Sequence, residues 1–216
     1  MSVRPPLQAI SARLQSTALL EKLRAERRKP HEASFFFFDA HFRREAVKVL
    51  PGEYFVYDQD ILIMTTLGSC IAACLWDRDR HLGGMNHFML PDAGDGARYG
   101  LYAMELLINE LMKRGATRSS LEAKVFGGGA VLGNMSTLNV GERNTRFVLD
   151  YLKTERIPVI SQDVMDVYPR KVCFEPASGR AKVKRLAPTA MGEQLLAQER
   201  AAAKTVPTET GSIELF

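Results

Sequence analysis

Short β-prone apolar runs, each closed by Gly, Pro or a polar turn, fill most of the chain between Glu45 and Leu186. That punctuation constrains the fold more than any other feature, because runs this short make strands rather than long helices. They lie at Glu45–Leu50, which Pro51-Gly52 closes, and at Glu53–Tyr57, Asp60–Thr66, Leu82–Leu90, Leu121–Phe126, Ile157–Gln162, Lys171–Glu175 and Ala181–Leu186. Ile71–Trp76 is apolar at nearly every position. It is either a buried strand or a buried helical turn starting at Cys70, since so short a run has no readable period. Two stretches have helical spacing. One is Arg98–Lys113, with Tyr102, Leu106, Leu107 and Leu111 near one face and Gly115 as its stop. The other is Asn144–Lys153, with Asn144 as its N-cap. Hairpin-like strands mixed with helices predict an α+β (mixed α/β) fold, β-sheets packed with helices. No apolar run approaches the roughly 20 residues that cross a bilayer, so no membrane insertion is expected.

The ends differ from this body. Residues 7–29 suit a helix, with Ile10, Leu14, Ala18 and Leu19 at helical spacing, basic residues crowding its end and Pro30 as its stop. This arm either packs on the body or floats. Phe35–Phe38 reads as a hydrophobic anchor leading into the body. Residues 1–33 hold seven Lys/Arg and three Asp/Glu, a net of +4, which leaves 22 of each sign (29−7 and 25−3) for the remainder. Nucleic-acid binding usually needs a basic face on the folded domain, and here the excess lies in a terminal arm, so no nucleic-acid partner is expected. The reading is a basic helical extension at 1–33, a single domain at 34–190, and a helix (Met191–Lys204) with a tail at 191–216. No signal peptide is visible, and three cysteines are too few and too odd for a disulfide scaffold. Both point to the cytoplasm.

Reduced thiols leave room for a nucleophile. Thr65-Thr66-Leu67-Gly68-Ser69-Cys70 ends a predicted strand, and His87 follows on a strand that returns beside it. A free thiol is only a few per cent ionised at neutral pH, so it needs a base within reach, and an imidazole is the usual one. Backbone N–H groups around Gly68, Ser69 and Cys70 could hold a developing oxyanion, and Thr65 or Thr66 could orient the ring. If a helix begins at Cys70, its dipole lowers the thiol pKa further. Against this, a lone Cys in apolar sequence is usually a small hydrophobe, and Cys74 and Cys173 read as core. Cys70, Cys74, His81 and His87 fit no zinc knuckle, so no metal and no cofactor are expected. Gly127-Gly128-Gly129 lacks the Gly-Lys-Ser/Thr of a nucleotide loop and reads as a close backbone approach beside the thiol, with Gly128, Gly129 and Asn86 next to the site. Glu142 and Arg143 read as a local pair.

Together these segments resemble the chemoreceptor glutamine deamidase family, CheD. The matching pieces are Leu67-Gly68-Ser69-Cys70 with Ile71-Ala72-Ala73-Cys74-Leu75 after it, Gly83-Gly84-Met85-Asn86-His87-Phe88-Met89-Leu90-Pro91-Asp92, Arg98-Tyr99-Gly100, Lys124-Val125-Phe126-Gly127-Gly128, and Gly141-Glu142-Arg143-Asn144. Each is weak alone, but their order and spacing agree from about Glu45 to Leu186. His41–Val56 and Gly211–Phe216 look like proteobacterial members. The resemblance implies a layered sandwich like that of thiol hydrolases, with Cys70 as nucleophile, His87 as general base and acid, and a threonine as orienting group. Some members carry that threonine six residues before the cysteine, where this chain has Met64. Thr65 is the choice here and Thr66 the alternative. Asp166-Val167 stands where many members have Gly-Gly, which bears on the loop before Arg170. The implied reaction turns receptor glutamines into glutamates with release of ammonia, and methyl-ester hydrolysis is an implied side activity. Implied partners are the cytoplasmic domains of methyl-accepting chemotaxis receptors and, as in some members, a CheC-type phosphatase. Two other readings stay open: a non-catalytic adaptor on the same fold, and a thiol peptidase or transglutaminase.

Overall fold

The computed structural model describes residues 18–90, 96–130 and 135–187, together with residue 197. A first helix, α1, covers residues 18–25. Strands β1 (Phe35–Asp39), β2 (Arg44–Lys48), β3 (Tyr54–Tyr57), β4 (Leu62–Leu67), β5 (Ile71–Asp77) and β6 (Leu82–Asn86) follow. Then come α2 (Gly96–Lys113), β7 (Leu121–Gly127), α3 (Met135–Thr154), β8 (Val159–Val164), β9 (Arg170–Glu175) and β10 (Arg180–Arg185). The strands form two five-stranded sheets, ordered β1-β2-β4-β9-β10 and β3-β6-β5-β7-β8. The class is α+β, as expected.

Alternation along the central strands builds the layers. On β4, Ile63 and Leu67 face the second sheet, whereas Leu62 and Met64 face outward with Ala46 and Cys173. On β5, Ala72 and Cys74 face the first sheet, whereas Ile71, Ala73 and Leu75 pack under α2 and α3 with Met104, Leu107 and Val148. The order is therefore sheet, sheet, helices. β5 is buried on both faces, which is why its sequence shows no period and why it is a strand rather than a helical turn. The helix-dipole argument at Cys70 falls with that alternative. Behind α2, Gly115 (φ 95°) closes the helix as expected: Ala116 N–H donates to Leu111 O at 3.1 Å and Gly115 N–H to Met112 O at 2.9 Å.

Three further expectations change. Phe35–Phe38 is an edge strand rather than an anchor, with Phe36 buried and Phe35 and Phe38 exposed. The strand expected over Leu82–Leu90 ends at Asn86, and only an isolated bridge between Ile71 and Phe88 continues it. Helix α3 begins nine residues before Asn144, so Asn144 is an interior helix residue and not an N-cap. The first 17 residues, the helix expected at Met191–Lys204 and the tail lie outside the described residues, residue 197 apart.

The described part of the basic arm packs on the body. α1 ends at residue 25, ahead of Pro30. Its Leu20 and Leu23 are buried in the inter-sheet core with Phe36. Arg24 donates to Phe36 O at 2.8 Å, the Arg28 guanidinium sits 5.1 Å from the Phe36 ring centroid, and Lys29 pairs with buried Glu110 of α2. Truncating a fully buried leucine leaves a void, so Leu23→Ala should cost about 2–5 kcal/mol in urea unfolding. An arm that merely floated would leave the transition unmoved.

Candidate active site

Thr65, Cys70 and His87 reach one layer from three places in the chain. Thr65 lies on β4 between Ile63 and Leu67, on the face turned to the second sheet. Cys70 immediately precedes β5 and packs in the same inter-sheet layer. Past β6, Ile71 and Phe88 exchange two backbone hydrogen bonds of 2.9 Å, which fixes the register of the returning chain. That register continues the Cys74–Met85 pairing and sets Ala72 opposite His87 and Cys70 opposite Met89. Cys70 and His87 are therefore diagonal neighbours on one face of the sheet, a spacing across which side chains interact. The backbone of His87 is held on its other edge, donating to Glu53 O at 3.0 Å and accepting from Gly52 N–H at 2.7 Å.

Thr65 Oγ1 lies 2.9 Å from His87 Nδ1 and donates to Val49 O at 2.8 Å. A hydroxyl has one proton and a carbonyl only accepts, so the arrangement that satisfies both contacts has Nδ1–H donating to Thr65. Nε2 then carries the lone pair, and it has no hydrogen-bond partner among the described residues. Burial, the leading cause, lowers the His87 pKa from 6.5 to about 4, so the ring is neutral at pH 7. Thr66 points to the opposite face of β4.

The segment ahead of Cys70 is clamped. Gly68 O accepts from Gly129 N–H at 2.8 Å, Ser69 O from Asn144 Nδ2 at 2.9 Å, and Cys70 O from Gly128 N–H at 2.8 Å. Gly127 adopts φ 111°, and a Cβ there would lie 2.1 Å from Cys70 O. Only glycine allows this approach. Gly141 is equally pressed: a Cβ there would lie 2.4 Å from Gly128 O, so α3 seats the glycine loop directly. On its other side, Met165 N–H donates to Gly127 O and Ala130 N–H to Asp166 O, with Met165 and Asp166 both left-handed (φ 64° and 67°). The fully buried Arg170 ties that loop down through Asp163 Oδ1 at 2.9 Å, Tyr168 O at 2.9 Å and Met165 O at 2.6 Å.

The Asn86 side chain accepts from Ala73 N–H at 3.1 Å and donates to Ala103 O at 3.0 Å, and Asn86 lines a cleft together with His87. Glu142 pairs with Arg146 at 2.9 Å rather than with Arg143, whose Nη2 donates to Leu90 O at 3.1 Å. Asn144 and Arg170 were missed as site supports. A polar residue in the middle of an apolar helix face was the available signal for Asn144. Burial pushes the Cys74 thiol far up and that of Cys173 to about 11, as core thiols require. Among the described residues no three His, Cys, Asp or Glu side chains gather as metal ligands.

Both Cys70 and His87 are buried, at 0% and 1% exposure. This shallow cleft reaches His87 between the Gly52-Glu53 turn and the start of α2, with His31, Tyr99 and Tyr102 on its walls. Burial, followed by the neighbouring Cys70, pushes the Tyr99 phenol up to about 12, and burial raises the Glu53 carboxyl. Among the described residues no helix is long and apolar enough to cross a membrane.

The family described as CheD chemotactic sensory transduction matches residues 89–185. A protein of Albidiferax ferrireducens named probable chemoreceptor glutamine deamidase CheD 1 is 61% identical over 203 residues, covering 91% of this chain and 86% of its own. One of the same name from Dechloromonas aromatica is 57% identical over 72% of this chain and 81% of its own, and one from Shewanella oneidensis 49% over 83% and 92%. A crystal structure of a Neisseria meningitidis protein of the DUF152 group overlaps 53% of this chain and 54% of its own, at 11% identity and a TM-score of 0.37. Identity at this level, spread over most of both chains, means that this chain belongs to the CheD family.

Proposed function

We propose that this chain is a protein-glutamine deamidase acting on the cytoplasmic domains of chemotaxis receptors, with Cys70 as nucleophile and His87 as general base and then acid. The relatives' names supply the substrate class. The observation that carries the chemistry is the relay from Val49 O through Thr65 to His87, which leaves Nε2 as an acceptor on the sheet face that also bears Cys70.

In the first half-reaction Nε2 takes the thiol proton as sulfur attacks the carboxamide carbon, giving a tetrahedral oxyanion. Collapse breaks the C–N bond, and His87 returns the proton to the leaving nitrogen, which departs as ammonia. In the second half, Nε2 takes a proton from water, hydroxide adds to the thioester, and the C–S bond breaks to release glutamate as His87 returns the proton to the sulfur. A receptor methyl ester fits the same two steps, with methanol leaving instead of ammonia. Because both groups are buried, we take the cleft beside Tyr99 as the entrance, and a glutamine presented on a helix surface suits its shallowness. A receptor substrate of this kind puts the work in the cytoplasm. A CheC-type phosphatase as second partner rests on the family resemblance.

Burial of the thiol is what favours the other reading, an adaptor that binds receptors without turnover. Mass spectrometry of a receptor cytoplasmic fragment separates the two. Wild type should convert specific glutamines to glutamate, and Cys70→Ala and His87→Ala should abolish conversion while the fragment still binds. Conversion that survives Cys70→Ala removes the thiol from the chemistry, and binding without conversion by wild type leaves the adaptor. Thr65→Val cuts the relay but keeps the side-chain shape, so kcat should fall about 10²-fold with KM nearly unchanged. An unaltered kcat would mean that Thr65 does not orient the ring.

The depressed His87 pKa also bears on stability. Between pH 6.5 and about 4 the unfolded histidine binds a proton that the folded one does not, so stability is full above 6.5 and falls as pH drops through that window. A shift of this size is worth at most about 3 kcal/mol. Urea titrations from pH 7 to 4 should show that loss in wild type and a flatter profile in His87→Gln, whereas equal slopes would assign the acid sensitivity to other groups.

A further inference from the structure

Three successive carbonyls, those of Gly68, Ser69 and Cys70, are held by three donors, and the middle donor differs in kind. Gly129 and Gly128 supply backbone N–H groups, whereas Ser69 O is held by the side-chain amide of Asn144, a fully buried residue in the interior of α3. A trans peptide unit points its C=O and N–H in opposite directions. Fixing Ser69 O toward α3 therefore sends the N–H of the same unit, which belongs to Cys70, away from α3. The same Asn144 amide accepts from Leu90 N–H at 2.9 Å, three residues beyond His87. One side chain thus links the chain that carries the thiol to the chain that carries the imidazole.

We infer that Asn144 is a positioning residue: by anchoring the Ser69 carbonyl it aims the Cys70 N–H at the oxyanion of the tetrahedral adduct. The inference rests on the reading of Cys70 as nucleophile. The geometry assigns Asn144 this narrow task because the flanking carbonyls keep their backbone donors whatever occupies position 144. Losing its amide lets the middle peptide turn while the glycine loop stays seated. Nothing in the helix itself calls for a buried carboxamide here. Its neighbour Thr145 caps inward on Gly141 O at 2.8 Å, as an interior threonine ordinarily does.

Asn144→Asp keeps an acceptor for Leu90 N–H but sets a carboxylate against Ser69 O. Asn144→Ala removes both contacts without burying a charge, and it stands in if the aspartate variant fails to fold. Each variant is compared with wild type by kcat and KM on a receptor fragment, and by the rate at which iodoacetamide alkylates Cys70, followed by peptide mass spectrometry. Alkylation needs the sulfur but builds no oxyanion, so it reports nucleophile and fold independently of the N–H. A misaimed oxyanion donor should lower kcat about 10²-fold, with KM and the alkylation rate within about twofold of wild type. A folded variant with kcat within about twofold of wild type overturns the inference, and so does an alkylation rate that falls in step with kcat; in either case Cys70-dependent turnover by wild type leaves the deamidase reading intact. Absence of Cys70-dependent turnover in wild type overturns both.

Discussion

The hydrogen bonds received by the carbonyls of residues 68–70 organise the rest of the structure. A tight connection between β4 and β5 exposes backbone acceptors in the middle of the fold, and buried acceptors must be paired. Here the partners come from the glycine loop after β7 and from α3. That need explains features that otherwise look unrelated: Gly127 in a conformation closed to other residues, Gly141 flattened against Gly128, and an asparagine in the interior of a helix. It also explains the loop beyond β8, whose two left-handed residues are held by a buried guanidinium so that they can pair with Gly127 and Ala130. The site is thus the innermost of several nested supports, and the outermost lies in a different sheet.

Desolvation does the electrostatic work. Among the described residues no carboxylate hydrogen-bonds the imidazole. Its partner is a hydroxyl already committed to a carbonyl, which fixes the tautomer without adding charge, while burial keeps the ring neutral. A carboxylate in that place would raise the basicity of the second nitrogen and favour imidazolium, a form that has no lone pair to accept with. Hydroxyl and carbonyl together select a base that is ready to accept at neutral pH.

The fold class was legible because the strands are short and well punctuated. The details that escaped did so for physical reasons. β5 has a core on each side, so alternation carried no signal there. The run Phe35–Phe38 hid its alternation because the solvent face of an edge strand is as aromatic as its buried face. Asn144 looked like a helix start because glycine and small polar residues precede it, yet Gly141 is there to admit another backbone rather than to end a helix. The choice between Thr65 and Thr66 was open to the simplest rule available: the one that shares parity with Ile63 and Leu67 faces the interior. Cys70 and His87 stood out because a thiol after Gly-Ser and a histidine on a returning strand are chemically conspicuous. The supports behind them are hydrogen bonds between residues some 50 to 75 positions apart, such as Leu90 to Asn144 and Asn144 to Ser69, which local pattern cannot reveal.

Val49 and Thr65 belong to one sheet, and the ring they orient belongs to the other. The contact between them is a directional polar bridge within a largely greasy layer. Greasy layers tolerate a small slip with little loss of contact, but a directional bond does not. A small shear of the slabs breaks this bond before it costs apolar contact, so wherever His87 serves as the base, turnover is a finer gauge of alignment than a melting curve.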